Sequence, residues 1–419
     1  MLFGSSGIRR RYSGAFVGLA VKVGVAVGQR GQSAVIGRDT RTTGPLIADA
    51  VTSGMLSTGV EVYDCGIAPT PTVACAARDH ALGVMVTASH NPEEYNGIKL
   101  LNPDGSSFTS DQQQETEAAV QGGRPARWEE QGRLHRLDAV SLHKKAILES
   151  VTLPEGLHAV VDCGNGAGSV ITPSLLADGG VHVLALNADP EGRFVRPSEP
   201  LEEHLPYMSA MVKKHNASCG IIHDGDADRM MAFDGAGRYI GGDHMMMLFA
   251  EYLGAKKVVT TADASMAIEE VAEVRRTPVG DTYVSEELLQ WGDFGGEASG
   301  AWIFPKNSFC PDGIYAATLL CEIAGEWDLA ECIDAMPAYP ILRESIPLDD
   351  AHEVMATMGA AVPTDGVRIE EEDGWCLVRA SGTEPKVRFT AEGKDLATAK
   401  QVMETAKERL QAARKGRTA

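Results

Sequence analysis

The sequence predicts an α/β protein of several units in series, closed by a smaller α+β unit. Three observations lead there. Strand-like and helix-like segments alternate along most of the chain, and the alternation starts afresh twice. Near the C-terminus the order changes to strands followed by one long helix. Finally, 419 residues with 44% hydrophobic content are ample for a large core. At about 150 residues per domain that length suggests roughly three domains.

The elements follow in order. SAVIG (33–37) reads as a short buried strand. GPLIADAVTSGMLSTG then carries Leu46, Ile47, Ala50, Val51 and Met55 at helical spacing. VEVYD (60–64) is the next strand, PTVACAARDHAL a helix with proline near its start, and GVMVT (83–87) a further strand. The rhythm restarts at HAVVD (158–162), which enters a glycine-rich turn and a helical run. VHVLAL (181–186) and CGIIH (219–223) continue it. A third start is KKVVTT (256–261), followed by the helical pattern DASMAIEEVAEV. Repeated β–α alternation predicts parallel sheets with helices on both faces. WCLVRA (375–380) and KVRFTAE (386–392) are strands around a short polar turn. A helix from Lys394 then aligns Leu396, Ala399, Val402, Met403, Ala406 and Leu410 on one face, and the tail RKGRTA is expected to fray.

Composition excludes several function classes. The formal net charge is −20, from 58 acidic and 38 basic residues, which disfavours nucleic acid and anionic membrane as partners. A small anionic substrate stays open, because local cations can outweigh the global sign. No apolar run reaches spanning length, and MLFGSSGIRRRYSG lacks the apolar core of a signal peptide. The 45 glycines have no three-residue period, so they predict tight loops and not collagen. Eight cysteines, none in a C-x-x-C pair, read as reduced, mostly buried thiols of a cytoplasmic protein.

Three loops at the ends of predicted strands could carry chemistry, since ligands of open α/β sheets bind at that edge. In Thr87-Ala88-Ser89-His90-Asn91-Pro92 a serine directly follows a buried strand and could be a nucleophile, with Lys99 returning to the same pocket. The same residues also read as a polar turn with an Asn-Pro breaker. In Asp224-Gly225-Asp226-Ala227-Asp228-Arg229, three alternating carboxylates would repel each other unless a cation sits between them. Hard oxygen ligands suit Mg²⁺ or Ca²⁺. Arg229 and Gly235 stand where a calcium loop needs glycine and glutamate, so Mg²⁺ shared with a phosphate is the better reading. In Arg379-Ala380-Ser381-Gly382-Thr383-Glu384-Pro385, with Arg388 beyond, arginines, hydroxyls and a glycine turn could cradle a phosphate or form an ordinary hairpin. Weaker signals are Glu297 and Ser299 in GGEASG, Arg9 near the N-terminus, the Gly37–Arg41 cluster, and GNGAG (164–168), whose spacing does not match a dinucleotide fingerprint.

Taken in order, TASHNP, DGDADR, GEASG and RASGTEP resemble the α-D-phosphohexomutase superfamily, over Phe3 to about Glu392. The resemblance implies four domains around a central cleft: three α/β domains with mixed sheets and a smaller C-terminal α+β domain. On this chain they would be 1–150, 151–250, 251–343 and 344–419. It implies that Ser89 is the catalytic serine, carried as phosphoserine, and that Asp224, Asp226 and Asp228 bind Mg²⁺ together with a Ser89 oxygen. Glu297 and Ser299 would grip sugar hydroxyls. Arg379, Ser381, Gly382, Thr383 and Arg388 would hold the non-reacting phosphate, with Arg9, Lys99 and Arg229 around the transferred group. The implied activity interconverts hexose 6- and 1-phosphates through a bisphosphorylated sugar, with a small sugar phosphate as the expected partner, no nucleic acid or membrane, and a monomer or homodimer as the assembly. Three departures stand out. Ala301 and Asp281 replace histidines often found in the family, and Arg10 replaces a glycine. They leave Lys99 as the candidate general acid/base. The Val279-Gly280-Asp281 form points toward the glucosamine-phosphate branch, with the mannose/glucose-phosphate branch as the alternative. A Mg²⁺-dependent sugar phosphatase is the alternative of a different class.

Overall fold

The computed structural model describes residues 2–4, 6–381 and 384–418, with side chains through residue 415. Four sheets follow one another along the chain. The first contains β1 (Ile8–Arg11), β2 (Ser33–Arg38), β3 (Glu61–Ile67), β4 (Leu82–Val86), β5 (Tyr95–Leu101) and β6 (Leu134–Arg136), in the spatial order β1-β5-β4-β2-β3-β6. The second contains β7 (His158–Asp162), β8 (His182–Leu186), β9 (Cys219–His223), β10 (Met230–Asp234) and β11 (Tyr239–Ile240), ordered β11-β10-β9-β7-β8. The third contains β12 (Lys257–Thr261), β13 (Glu273–Thr277), β14 (Phe294–Gly296) and β15 (Trp302–Ile303), ordered β13-β12-β14-β15. The last contains β16 (Ile341–Pro347), β17 (Val367–Glu371), β18 (Gly374–Ala380) and β19 (Lys386–Gly393), all antiparallel and ordered β16-β19-β18-β17.

The expected strands are present, with small shifts at their ends. The sheets are mixed, as the family resemblance implied, and not the purely parallel ones that the alternation alone suggests. In each of the first three, a central strand has parallel neighbours on both sides: β2 with β3 and β4, β7 with β8 and β9, β12 with β13 and β14. The next strand then returns antiparallel: β5 on β4, β10 on β9, β15 on β14. The reason is connection length. Residues 87–94, 224–229 and 297–301 are too few for a crossover helix, so the chain can only turn back. DASMAIEEVAEV also departs from expectation. It forms a 3-10 turn, Met266–Glu270, and then enters β13, where β-branched residues pair with β12.

Close packing fixes these layers. The helices Gly14–Gly28 and Gly44–Leu56 touch backbone to backbone, and a Cβ on Gly24 would lie 2.1 Å from the Val51 carbonyl oxygen. The second and third sheets bury one continuous apolar cluster, including Val161, Ile221, Val258, Phe294 and Trp302. The helix Gly313–Glu326 is sunk within it, and Asp312 caps its first turn at Ile314 N (3.0 Å) and Tyr315 N (2.9 Å). In the last unit Val402, Met403, Ala406 and Leu410 pack on Val378, Val387 and Phe389, as their spacing predicted, while Leu396 stays outside. That helix runs to Thr418, through the tail expected to fray. The last sheet is tied to the third through Glu392, which is fully buried. It accepts from Ser265 Oγ (2.5 Å), Met266 N (2.7 Å) and Trp375 Nε1 (2.6 Å).

Candidate active site

The serine lies in the turn between β4 and β5. Thr87 Oγ1 donates to Asp39 Oδ2 (2.6 Å) and accepts from Ser89 N (2.8 Å). The backbone of Ser89 is left-handed, with φ of 49°, a conformation that costs a non-glycine residue about 1–2 kcal/mol. Ser89 is 1% exposed, and its Oγ donates to Asp224 Oδ2 at 2.8 Å. His90 Nδ1 stands 3.4 Å from the same hydroxyl. Burial, with Arg229 and Arg9 nearby, pushes the His90 imidazole down to about 2, so it is neutral.

The aspartates occupy the equivalent turn of the second sheet, between β9 and β10. Gly225 lets the two turns meet, since a Cβ there would lie 2.8 Å from the Ser89 carbonyl oxygen. Asp226 Oδ2 accepts from Thr70 Oγ1 (2.5 Å) and Lys99 Nζ (3.1 Å), and Lys99 also bonds Asp228 Oδ2. One oxygen from each of Asp224, Asp226 and Asp228 lies within 4.8 Å of the others. Burial opposes the charge on Lys99, but Asp226 and Asp228 outweigh it and hold the ammonium well above its usual range. One lysine cannot neutralise three buried carboxylates. Burial, together with Asp228 and Asp226, drives Asp224 well above the ordinary carboxylate range. Asp226 Oδ1 and Asp228 Oδ1 are buried with no hydrogen-bond partner among the described residues. Hard oxygens, excess negative charge and unspent lone pairs fit a divalent cation such as Mg²⁺.

The turn between β14 and β15 supplies the third loop. Glu297 is 7% exposed, and burial lifts its carboxyl to about 7 against the opposing pull of Arg229. Ser299 Oγ is buried without a partner among the described residues. Arg229 and Ala301 pair as an isolated bridge, and Met230 N donates to the Gly300 carbonyl (2.9 Å), so the aspartate and glutamate turns touch. Arg9 reaches the serine turn through Asn91 Oδ1 at 2.9 Å. Asp281 opens the helix Asp281–Leu288 and accepts from Ser6 Oγ. In the last sheet Arg379 and Arg388 are register partners and line an open pocket with Arg343, Ser345, Lys386 and Thr390. Arg388 Nη2 lies 3.4 Å from Ser381 Oγ. Gly382 and Thr383 fall outside the described residues.

Comparison with known proteins agrees with this geometry. Models of the phosphoglucomutase/phosphomannomutase α/β/α domains I, II and III match residues 1–127, 141–237 and 241–339. The C-terminal domain model matches 344–409. A probable phosphoglucosamine mutase of Methanococcoides burtonii is 43% identical over 94% of this chain and 95% of its own length. The phosphoglucosamine mutase of Methanococcus aeolicus is 42% identical over 96% of both. The chain belongs to the phosphohexomutase family. A crystal structure of a phosphoglucomutase/phosphomannomutase family protein from Burkholderia thailandensis superposes with a TM-score of 0.87 at 25% identity, covering 99% of this chain and 97% of that one. With the family comes the reaction class, an isomerisation by phosphoryl transfer.

For a phosphohexomutase chain, the residues brought together are Ser89, Lys99, Asp224, Asp226 and Asp228, with Arg229, Glu297, Ser299 and Arg9 around them. The Arg379–Arg388 pocket includes none of the first five among its lining residues. Lys99, the candidate general acid/base, is held as an ammonium by Asp226 and Asp228, a form with a proton to give and no lone pair to accept one. Sequence reasoning passed over Thr70, which binds Asp226 across two sheets, and Glu199, whose Oε1 lies 3.5 Å from Arg229 Nη1. The signal for Thr70 was its place just after β3, at the ligand-binding edge. Glu199 sits in a long irregular segment that offered none. Among the described residues no helix is long and apolar enough to cross a membrane, and all eight cysteines are free.

Proposed function

We propose that the protein interconverts glucosamine 6-phosphate and glucosamine 1-phosphate, with Ser89 carrying the phosphoryl group between the two ends of one sugar. One observation carries this reading: a buried serine hydroxyl 2.8 Å from a carboxylate of a triad with oxygens to spare. Relatives named phosphoglucosamine mutase, at 42–43% identity over nearly the whole chain, support the substrate. Asp281 also acts electrostatically on Glu297, and a protonated amine on the hexose is a group such a pair attracts.

In the first half-reaction the phosphoserine P–O bond breaks as the sugar's free hydroxyl bonds to phosphorus, that hydroxyl's proton leaves to a base, and the departing Ser89 Oγ takes up a proton to become the free hydroxyl. The bisphosphorylated sugar turns over in the cleft, and the other phosphate returns to Ser89. Asp224, Asp226, Asp228 and a Ser89 oxygen would hold Mg²⁺, which when bound withdraws charge from the phosphoryl oxygens. Arg9, Lys99 and Arg229 add positive charge around the transferred group. Glu297 and Ser299 bind ring hydroxyls. Glu297, poised at about 7, is the group able to take and return a proton near neutrality. Arg379, Ser381, Gly382, Thr383 and Arg388 hold the phosphate that does not react. The segments 1–150, 151–250, 251–343 and 344–419 act as four units, each giving one loop to a water-excluding cleft. Eight free thiols and a sugar-phosphate substrate suit the cytoplasm.

The test incubates purified protein, primed with a sugar bisphosphate, with glucosamine 6-phosphate and Mg²⁺. The expected product is glucosamine 1-phosphate. Turnover of mannose or glucose phosphates without it would move the substrate to that branch. Release of inorganic phosphate that survives Ser89→Ala would replace the mutase with a phosphatase.

A further inference from the structure

We infer that Arg41 is the positioning residue of the serine turn: it holds the backbone that aims Ser89 and does not touch substrate. The inference deepens the mutase reading and rests on it. Arg41 is 1% exposed. A guanidinium has five N–H donors, and all five are used within the protein. Nε donates to Asp39 Oδ2 (3.0 Å). Nη1 donates to the carbonyls of Pro92 (2.7 Å) and Tyr95 (3.0 Å), and Nη2 to those of Ser89 (2.7 Å) and Asn91 (2.7 Å). Four carbonyls of one turn therefore converge on a single cation, and no donor is left for a phosphate.

The anchoring continues on both sides. The Arg41 backbone N–H donates to Asp39 Oδ1 (3.0 Å), so Asp39 binds the arginine through both oxygens. The second oxygen of Asp39 also takes the Thr87 hydroxyl, which in turn accepts from Ser89 N. Ser89 is thus held at its N–H through Thr87 and Asp39, and at its C=O by Arg41 directly. Those are the two peptide groups flanking its left-handed φ. Over the guanidinium lies the ring of Phe194, 5.1 Å away, from a segment attached to the second sheet. This clamp explains how a serine keeps a conformation that L-residues disfavour, with its hydroxyl on Asp224.

Misplacing a nucleophile by about 1 Å costs on the order of 100-fold in transfer. The test compares the full-length wild type with Arg41→Lys, Arg41→Met and Thr87→Val. Val212→Ala, a core truncation under the second sheet, serves as a control for general destabilisation. Two readouts are taken. Amide hydrogen exchange over residues 87–96 needs no substrate, and steady-state turnover of glucosamine 6-phosphate gives kcat and KM separately. Arg41→Met is expected to lose protection in that segment at least tenfold while the rest of the first sheet keeps its own. Its kcat should fall about 100-fold with KM within twofold, and Arg41→Lys should fall between it and the wild type. Unchanged protection, a loss confined to KM, or the same kcat loss in Val212→Ala would overturn the proposal. If the wild type does not turn over the sugar phosphate while protection still collapses in Arg41→Met, the mutase reading fails and the clamp stands.

Discussion

At the scale of single residues, the site is a problem of charge in a low dielectric. Ser89→Ala removes the hydroxyl that bonds Asp224 and should abolish turnover. The fold should persist, because φ is set by bonds to the Ser89 backbone and not to its side chain. Circular dichroism and product formation on the same sample separate the two effects. Glu297 carries a pH signature. Its carboxyl titrates near 7 in the folded protein, against 4.5 for an ordinary glutamate. Between those values the native state holds a proton that the unfolded state has released, so stability falls as pH rises from about 4.5 to 7 and is then level. The fall is about 3 kcal/mol at most. Glu297→Gln should flatten it, read from urea midpoints at pH 5 and pH 8, and a mutant that keeps the wild-type slope would assign the effect elsewhere. The identities of Ser89, the three aspartates and Glu297 were legible in the sequence because each stands in a short polar loop after an apolar strand. Their charge states were not. Lys99 was the candidate general acid/base, and that it is a cation paired with two carboxylates is decided only by its neighbours across two sheets.

At the scale of elements, periodicity carried most of the information. The apolar runs of β4, β7, β9 and β12 are buried nearly end to end, and the amphipathic stripe of the last helix lies on the sheet it was expected to cover. What periodicity could not show was strand direction. An apolar strand looks the same whether its neighbour runs with it or against it, and only the shortness of residues 87–94 and 224–229 decides for antiparallel return. Nor could it show joints between elements. Glu392 closes the strand KVRFTAE, and nothing in that pattern marks it as a joint, yet it is fully buried and takes three donors, two of them from the third unit. Glu392→Ala leaves Ser265 Oγ, Met266 N and Trp375 Nε1 without an acceptor. At about 1–3 kcal/mol for each stranded donor, with water refilling part of the gap, the cost should be about 3–5 kcal/mol. Denaturant unfolding checks it. A loss below about 1 kcal/mol would show the joint to be replaceable by solvent.

At the scale of the whole molecule, one device is used three times. A central strand with parallel neighbours on both sides, then a short turn, then an antiparallel return: this order recurs in the first, second and third sheets. The turns at that one topological place are those holding Ser89, the aspartates and Glu297. No residue-level repeat marks this in the sequence, because the sheets need only apolar character while each turn needs different chemistry. Residue by residue the motifs were therefore readable one at a time, and their meeting was legible only through the family that the set of them resembles. The meeting has an energetic consequence. Ser89, Thr70 and Lys99 come from the first unit and the triad from the second, so a cation bound among them would clasp two sheets and offset the repulsion of the carboxylates. Mg²⁺ at a hundred times its dissociation constant should stabilise the fold by about 2.7 kcal/mol. At roughly 2–4 °C per kcal/mol that is a rise of several degrees in Tm, reversed by EDTA. Asp224→Asn should behave in the opposite sense on both counts. It relieves repulsion, so its metal-free Tm should equal or exceed that of the wild type, and it removes a ligand, so Mg²⁺ should shift it little. An equal Mg²⁺ shift in both proteins would place the stabilising ion outside the triad.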